Sequence, residues 1–529
     1  MNHIISYNRH QTEISCLEDF IEQDNPVRFV DAFVDKLDLT ELGFIIKDIK
    51  SEGRPSFDAK VFLKIYFYGY LNGIRSSRKL ERECKRNIEL QWLVCKLCPN
   101  YHSIADFRKV NPKALRNTFK LFVLFLKDMD LVAGTHVAID GTKFRAHNSK
   151  KNNYNPKKLE RHFKYIEEKT NEYLKELDQN DASENPVKVT EIQEKINRLN
   201  QTKLKYELLK TELEESGEPQ VSTTDKDARA LLVQGQVVEI CYNQQAAVDS
   251  KHKLIVATHT INRNDRNAMH KIALEAKQNL HVESLTSITD KGYHNGRELE
   301  KCKADKIQTI CATPAIANSN DHGTTPAYLV DKFIYNETDD TYTCPAGETL
   351  HTKGTWHKKN RERDSYHFKK YRTPKCATCL VKHLCTGRAK GGREIERGEF
   401  AKAIEENSAR YKENKVLYRQ RQEWNEHVFG TIKRKWGYYY TNLKGLEKVN
   451  GEFALIMTVY NIKRCFTILG IKDFIEKIKN WTPNYKGISL VHQLVNYFKR
   501  ITSMIIFENI FLSQKMRRYN QSFLIFTFK

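Results

Sequence analysis

Three acidic residues stand in local settings that suit them to share divalent cations: Asp140 in HVAIDGTKF, Asp290 in LTSITDKGY and Glu426 in YRQRQEWNEHVFGTIKRK. Val137, Ala138 and Ile139 run into the first and Leu285 to Thr289 into the second, so each aspartate is expected at the end of a strand. The glutamate belongs to a helix. Hard cations such as Mg²⁺ take oxygen ligands, keep part of their water shell and complete it with substrate phosphate. Two such ions about 4 Å apart can activate an attacking oxygen and stabilise a leaving one, which is what phosphodiester cleavage requires. In that scheme Asp140 bridges the ions while Asp290 and Glu426 each hold one. A lone Asp-Gly reads as a turn, so the reading rests on all three carboxylates together. Glu423 lies one turn earlier on the same helix. Glu426 is preferred because Arg419, Glu426 and Lys433 are spaced seven apart, on nearly one face, with Tyr418 and Arg421 within reach.

The elements that must position these groups are legible from periodicity and composition. Residues 1–130 read as a helical N-terminal domain, with apolar residues at helical spacing in VRFVDAFVDKLDL, AKVFLKIYFYGYL and LRNTFKLFVLFLKDM. Within it Arg75, Arg78, Lys79, Arg82, Lys85 and Arg86 fall largely on one side of a helix, while Leu80, Cys84 and Ile88 face inward. That stripe suits phosphate contact along DNA, or is a solvated face interleaved with Glu81 and Glu83. The first strand falls in 131–149. Residues 150–220 become rich in Lys, Glu, Asn and Leu and predict a helical hairpin broken near DASENP, with Ile166, Tyr173, Leu177, Ile192, Ile196, Leu199 and Tyr206 as its seam; a mobile charged arm is the alternative.

From 221 to 312 a core resumes: YNQQAAVDS and LIVATHTI form an antiparallel hairpin, Arg266 to Leu280 a helix capped by Asn264 or Asp265, and LTSITDKGY a further strand. Residues 313–395 interrupt it with Pro, Gly, Cys and His. Here Cys344, Cys376, Cys379 and Cys385 form a candidate structural Zn²⁺ set, although Cys344 lacks the second close cysteine of a paired ribbon. Cys95 and Cys98 read as small apolar packing residues. Residues 396–480 return to the core with the glutamate helix, and 481–529 form a tail whose role the sequence leaves open.

Bulk properties narrow the partners. Lys and Arg number 88 against 66 Asp and Glu, a net charge of +22, so the surface should attract polyanions, nucleic acid first among them. The chain does not open on a basic start followed by an apolar run, which predicts retention inside the cell, and Leu121 to Leu126 and Phe453 to Val459 fall far short of the roughly 20 residues that span a bilayer. The twelve cysteines are then expected as thiols.

Six motifs occur in an order that resembles the DDE transposases of bacterial insertion sequences: GRPSFDAKVFLKIYFYGYLNGIRSSRKLE, AIDGTKFRAHNSKKN, STTDKDAR, YNQQAAVDSKHKLIVATH, DKGYHNGREL and the helix around Glu426. The resemblance spans about residues 10–470 and is to the group with a long helical N-terminal domain and a helix signature of Tyr, Arg, Glu and Lys. Six residues separate Glu426 from Lys433, as in that signature, whereas the interval from Arg421 to Glu426 is one residue longer than in its best-known version. The resemblance implies an α/β fold with an RNase H-like mixed-sheet core, in which the first and fourth strands lie side by side and bring Asp140 beside Asp290. It implies end cleavage and strand transfer with two Mg²⁺ or Mn²⁺ ions. Tyr418, Arg421 and Lys433 would hold phosphates at the element's end, Arg as a fork and Lys as a point charge, beside the stripe of Arg75, Arg78, Lys79 and Arg82. The partners it implies are the inverted-repeat ends and target DNA, with a homodimer or larger assembly on them, no membrane, and a bacterial cytoplasmic, nucleoid-associated location. A catalytically inactive, domesticated DNA-binding derivative is the alternative. Trp436 and Tyr438 to Tyr440 either stack on a splayed base or pack in the core, and Asp225 and Asp227, in a loop expected to contact substrate, compete for the metal site.

Overall fold

In the computed structural model the described residues are 10–46, 56–181, 186–233, 237–314, 324–360, 365–485 and Ile488, so most of the 481–529 tail lies outside them. Six α-helices precede the first strand among these residues: α1 (Pro26–Lys36), α2 (Ala59–Leu71), α3 (Ser77–Arg86), α4 (Ile88–Leu93), α5 (Tyr101–Val110) and α6 (Pro112–Asp128). Polar side chains cap four of them, where Asn25 accepts from Val27 N, Asp58 from Lys60 N, Asn87 from Leu90 N and Asn100 from Ser103 N.

The chain then runs through β1 (His136–Arg145), β2 (Asn153–Tyr154), α7 (Pro156–Asp181), α8 (Pro186–Ser216), β3 (Val221–Ser222), β4 (Arg229–Val233), β5 (Val237–Asp249), β6 (Ile255–Ile261), α9 (Met269–Asn279), β7 (Leu285–Thr289), α10 (Gly296–Ala304) and β8 (Ile307–Cys311). β1 is central, antiparallel to β5 and parallel to β7, which is parallel to β8. The long β5 carries β4 along its first half and β6 along its second. The order β6, β5, β1, β7, β8 is that of an RNase H-like mixed sheet. α7 and α8 pair and leave the core through the β2–β3 ladder; Ile166, Ile192 and Ile196 are buried in their seam, and Tyr173, Leu177, Leu199 and Tyr206 are half-buried.

A second sheet is built from β9 (Ile334–Asn336), β10 (Thr341–Thr343), β11 (Thr349–Thr352), β12 (His357–Lys359), β13 (Tyr366–Arg372) and β14 (Ile395–Gly398), with α11 (Lys382–Cys385) between the last two strands. Its core is small: Phe333, Tyr342, Leu350, Tyr371 and Ile395. α12 (Ala401–Glu413), α13 (Lys415–Gly430), α14 (Leu446–Leu469) and α15 (Ile471–Asn480) close the described chain.

α14 is buried on nearly every side and joins the two halves of the molecule. Toward the sheet, Asn461 exchanges hydrogen bonds with the backbone of Ile255, 2.8 Å each way, and Asn450 accepts from Thr260 N. Toward the N-terminal helices, Gly451 abuts Pro112 so closely that an added Cβ would sit 2.6 Å from its Cα. Glu452, wholly buried, takes Arg75 at 2.8 Å, Arg108 at 3.8 Å and the backbone N–H of Leu443 at 3.1 Å. Burial alone would raise this carboxyl, but the two guanidiniums outweigh it and hold it below its ordinary range. No single described helix is long and apolar enough to cross a membrane; α14 and α15 pass only as a pair, bent by 114°.

Candidate active site

β1 and β7 pair as His136 with Thr286, Val137 with Ser287 and Ala138 with Ile288; two residues further along that parallel register stand Asp140 and Asp290. The two aspartates are therefore neighbours, but only Asp290 follows the end of its strand. Asp140, expected at a strand end, is the fifth of the ten residues of β1 and pairs with Ala246 of β5, because β1 runs on through Gly141 to Arg145. Asp140 accepts from its own following N–H, that of Gly141, at 2.8 Å, and Asp290 caps a short 3-10 turn by accepting from Gly292 N at 2.8 Å. Burial pushes the Asp140 carboxyl up to about 6; Arg421 and the Gly141 N–H oppose this, and the charges of Asp290 and Asp265 add to it.

Asp265 is an acidic neighbour that sequence reasoning assigned to a helix cap. Its Oδ1 accepts from Asn243 Nδ2 and Gln245 Nε2, each at 2.8 Å, and its Oδ2 lies 3.5 Å from Lys143 Nζ. Gly141 makes the approach possible: a Cβ there would stand 2.4 Å from Asp265 Oδ1 and 2.1 Å from Gln245 Nε2. The glycine after Asp140 thus serves close packing inside a strand, not a turn. Tyr293, wholly buried, donates to Gln245 Oε1; burial first, then the charges of Asp265, Asp140 and Asp290, hold its phenol protonated. One sequence signal did point here, since Asn243, Gln244 and Gln245 are consecutive polar residues in the buried part of β5.

α13 packs on β1, β5 and β7 and offers Arg421 to Asp140, Nη1 standing 3.6 Å from Oδ2. The inward stripe continues through Asn425, Val428 and Ile432, all buried, and both amide atoms of Asn425 are without a hydrogen-bond partner. Glu426, one residue and so about 100° round the helix, is exposed and accepts from Gln422 Nε2 at 2.7 Å. Glu423 instead pairs with Lys253. The structure thus brings Asp140 and Asp290 together and leaves Glu426 on another face. Among the described residues no three His, Cys, Asp or Glu side chains are gathered closely enough to hold a metal ion.

After α13 the helix widens into a π-turn over Thr431–Lys435, which rotates its side chains relative to the α register. Lys433 is thereby aimed at β1, its Nζ donating to Thr142 Oγ1 and Lys143 O at 2.6 Å each, and burial lowers its pKa to about 8. Tyr418 is half-buried, edge-on to Tyr411 at 4.9 Å and 5.7 Å beneath the Arg421 guanidinium.

The basic stripe needs a correction at one end. Arg75 precedes α3, is buried, and is committed to Glu452 and the Tyr440 carbonyl, so it is not a surface cation. Arg78, Lys79 and Arg82 are exposed, with Arg78 over the Tyr101 ring at 4.9 Å. Asp225 accepts from Tyr242 OH and Gly445 N at 2.7 and 3.1 Å, and Asp227 from Leu446 N at 2.7 Å. Both carboxylates hold the start of α14, where a helix N-terminus favours negative charge, so the loop's acids serve the helix instead of competing for the metal. Trp436 and Tyr438 pack with Tyr460 and Tyr70, while Tyr439 and Tyr440 stay exposed.

Comparison with protein families finds two matches: residues 15–110 fit a transposase domain (DUF772), and residues 343–466 fit a transposase DDE domain. The chain is a DDE transposase of an insertion sequence. No curated protein and no solved structure matches it. The first match covers α1 to α5 of the transposase, and the second contains most of the small sheet with Arg421, Glu426 and Lys433. Asp140 and Asp290 fall between the matched segments, so their assignment to the active site rests on the strand register and the RNase H-like topology.

Proposed function

We propose that this transposase cuts DNA at its element's ends by divalent-metal-dependent hydrolysis and joins the freed 3′ hydroxyl to target DNA. The observation that carries the reading is the juxtaposition of Asp140, within β1, and Asp290, just beyond the end of the parallel β7, under a helix that brings Arg421 to 3.6 Å from the first. Their oxygen-only donor set suits Mg²⁺ or Mn²⁺, and a carboxyl held up to about 6 by burial beside other acids is one that a cation would relieve. Bound there, a pair of ions supplies charge to the attacking and leaving oxygens. In the first step water adds to phosphorus and the 3′ oxygen leaves with a proton. In the second that hydroxyl attacks a target phosphodiester and displaces its 3′ oxygen.

The chain's own residues bind and orient. Asp140 and Asp290 hold the cations, with Glu426 as the third ligand once DNA engages α13. Arg421, Lys433 and Tyr418 hold phosphates around the scissile bond, and Arg78, Lys79 and Arg82 grip the flanking duplex. On this reading residues 1–130 recognise the end, 131–149, 221–312 and 396–480 form the catalytic core, and 150–220 and 313–395 are insertions. Two ends act together on a dimer or larger assembly in the bacterial cytoplasm, at the nucleoid. Incubating labelled end DNA and Mg²⁺ with Asp140→Asn or Asp290→Asn protein tests the assignment. Cleavage should be lost and binding kept, and a variant that still cuts removes its residue from the site.

A further inference from the structure

The small β9–β14 sheet carries four cysteines that the DNA chemistry does not use. Cys344 follows β10, Cys376 and Cys379 lie in and just after the 3-10 turn beyond β13, and Cys385 ends α11, yet all four line one cavity of about 30 Å³. They are free thiols. We propose that Cys344, Cys376, Cys379 and Cys385 bind one structural Zn²⁺ as a closed four-thiolate site that fastens this end of the sheet.

The local backbone is arranged around the sulfurs. Glu348 N–H donates to Cys344 Sγ at 3.3 Å and Gly347 N–H to Cys344 O at 2.9 Å, a fold-back that Gly347 permits at φ +86°. Backbone N–H groups aimed at a sulfur stabilise its thiolate form and orient it as a ligand. At Gly392 the chain closes over Cys376, where an added Cβ would lie 2.1 Å from the cysteine's own Cβ. Lys375, Lys382 and Arg393 also line the cavity, and these cations suit a four-thiolate zinc centre, whose net charge is negative. Burial raises the Cys385 thiol, Arg393 lowers it, and each of the other three thiols raises it, so the four are electrostatic neighbours.

Energetics give the site a purpose. Five of the six strands have three or four residues beside a five-residue core, to which Cys344 and Cys385 add only partly buried surface. Units this thinly cored commonly need a metal or a cross-link. The four cysteines line one cavity, but no three of them are gathered closely enough to hold an ion as they stand, so loading must draw the sulfurs inward. Four S–H protons pass to solvent as four Zn–S bonds form, with no change of oxidation state.

Metal analysis of the full-length protein, purified without added metal or chelator, tests this. One zinc per chain is expected, lost in Cys376→Ser/Cys379→Ser and kept in Cys95→Ser/Cys98→Ser. If the first variant fails to fold, Co²⁺ titration of the chelator-stripped wild type replaces it, with thiolate-to-cobalt charge-transfer and tetrahedral ligand-field bands expected. Zinc retained by a folded Cys376→Ser/Cys379→Ser protein, or a wild type that carries no zinc and gives no thiolate–cobalt spectrum, overturns the proposal.

Discussion

The guanidinium of Arg421 stands 3.6 Å from the carboxylate of Asp140, so α13 presents a cation to that aspartate where an acid was expected. Arg421 neutralises part of the charge that a divalent ion would otherwise neutralise, and the two compete. Arg421→Gln should therefore bind Mn²⁺ more tightly without DNA, by roughly 5- to 30-fold if one unit charge at this range is worth ~1–2 kcal/mol, while its affinity for end DNA falls. Calorimetric titration of Mn²⁺ measures the first and fluorescence anisotropy the second. Equal Mn²⁺ affinities would mean that Arg421 does not guard the site.

The placement of Glu426 separates it from the aspartates experimentally. Because Glu426 is exposed and bonded to Gln422, Glu426→Gln should leave Mn²⁺ binding by the DNA-free protein within about twofold of wild type. Asp140→Asn and Asp290→Asn should each weaken it by roughly tenfold or more, as expected when an oxygen donor and its charge are lost. All three should fail to cut end DNA. A Glu426→Gln protein that binds Mn²⁺ as poorly as the aspartate variants would place Glu426 with them before DNA arrives.

Arg75 and its former companions in the stripe should fail in different assays. Arg75→Ala leaves Glu452 buried and less compensated, a change that typically costs about 3–5 kcal/mol and should appear as a lower urea midpoint. Lys79→Ala and Arg82→Ala, both at exposed positions, should move stability by no more than ~0.5 kcal/mol. Each should lower the slope of log affinity against log salt by about 1 if it neutralises a phosphate. An unchanged slope would make the stripe a solvated face.

Lys433 gives a pH signature. Burial lowers its pKa from 10.5 to about 8, so its folded-state preference for the neutral form favours stability above 10.5 and is lost as pH falls through about 8. Phosphate binding runs the other way, because it needs the charged form. Affinity for end DNA should drop as pH rises through about 8 in the wild type. Lys433→Arg, charged throughout, should flatten that limb, and the same inflection in both proteins would assign it elsewhere.

What the sequence disclosed and what it hid divide along physical lines. The strands β1 and β7 were legible because β-branched apolar runs lead into each aspartate, but only β7 stops there; β1 continues past Asp140 to Arg145, which the polar GTK after it concealed, and the RNase H-like order came from the family motifs. The face of Glu426 was not, since spacing by seven groups it with Arg419 on one face of α13 without saying which face is inward. Both are exposed, the buried stripe runs through Asn425 and Val428, and Lys433 reaches β1 only because the π-turn at Thr431–Lys435 turns it there. Arg75 was placed on a helical wheel although α3 begins at Ser77, and a residue in the preceding loop obeys no wheel. Asp265 passed for a cap because such a residue and a sheet-facing carboxylate look alike in one dimension. The second sheet escaped because five of its six strands have only three or four residues, too short to show alternation, and the seven-residue β13 carries charged Lys369 and Lys370 in its middle.

The bare backbone at Gly451 has a wider consequence. It lets α6 press directly on α14, which holds β6 through Asn450 and Asn461, so one packed helix links the helical front to the sheet that carries the aspartates. A duplex clasped at Arg78, Lys79 and Arg82 would reach Asp140 and Asp290 at an offset set by that packed connection. The position of the nick would then be gauged like a mark on a ruler, by length along the DNA instead of by the identity of the bases beside it.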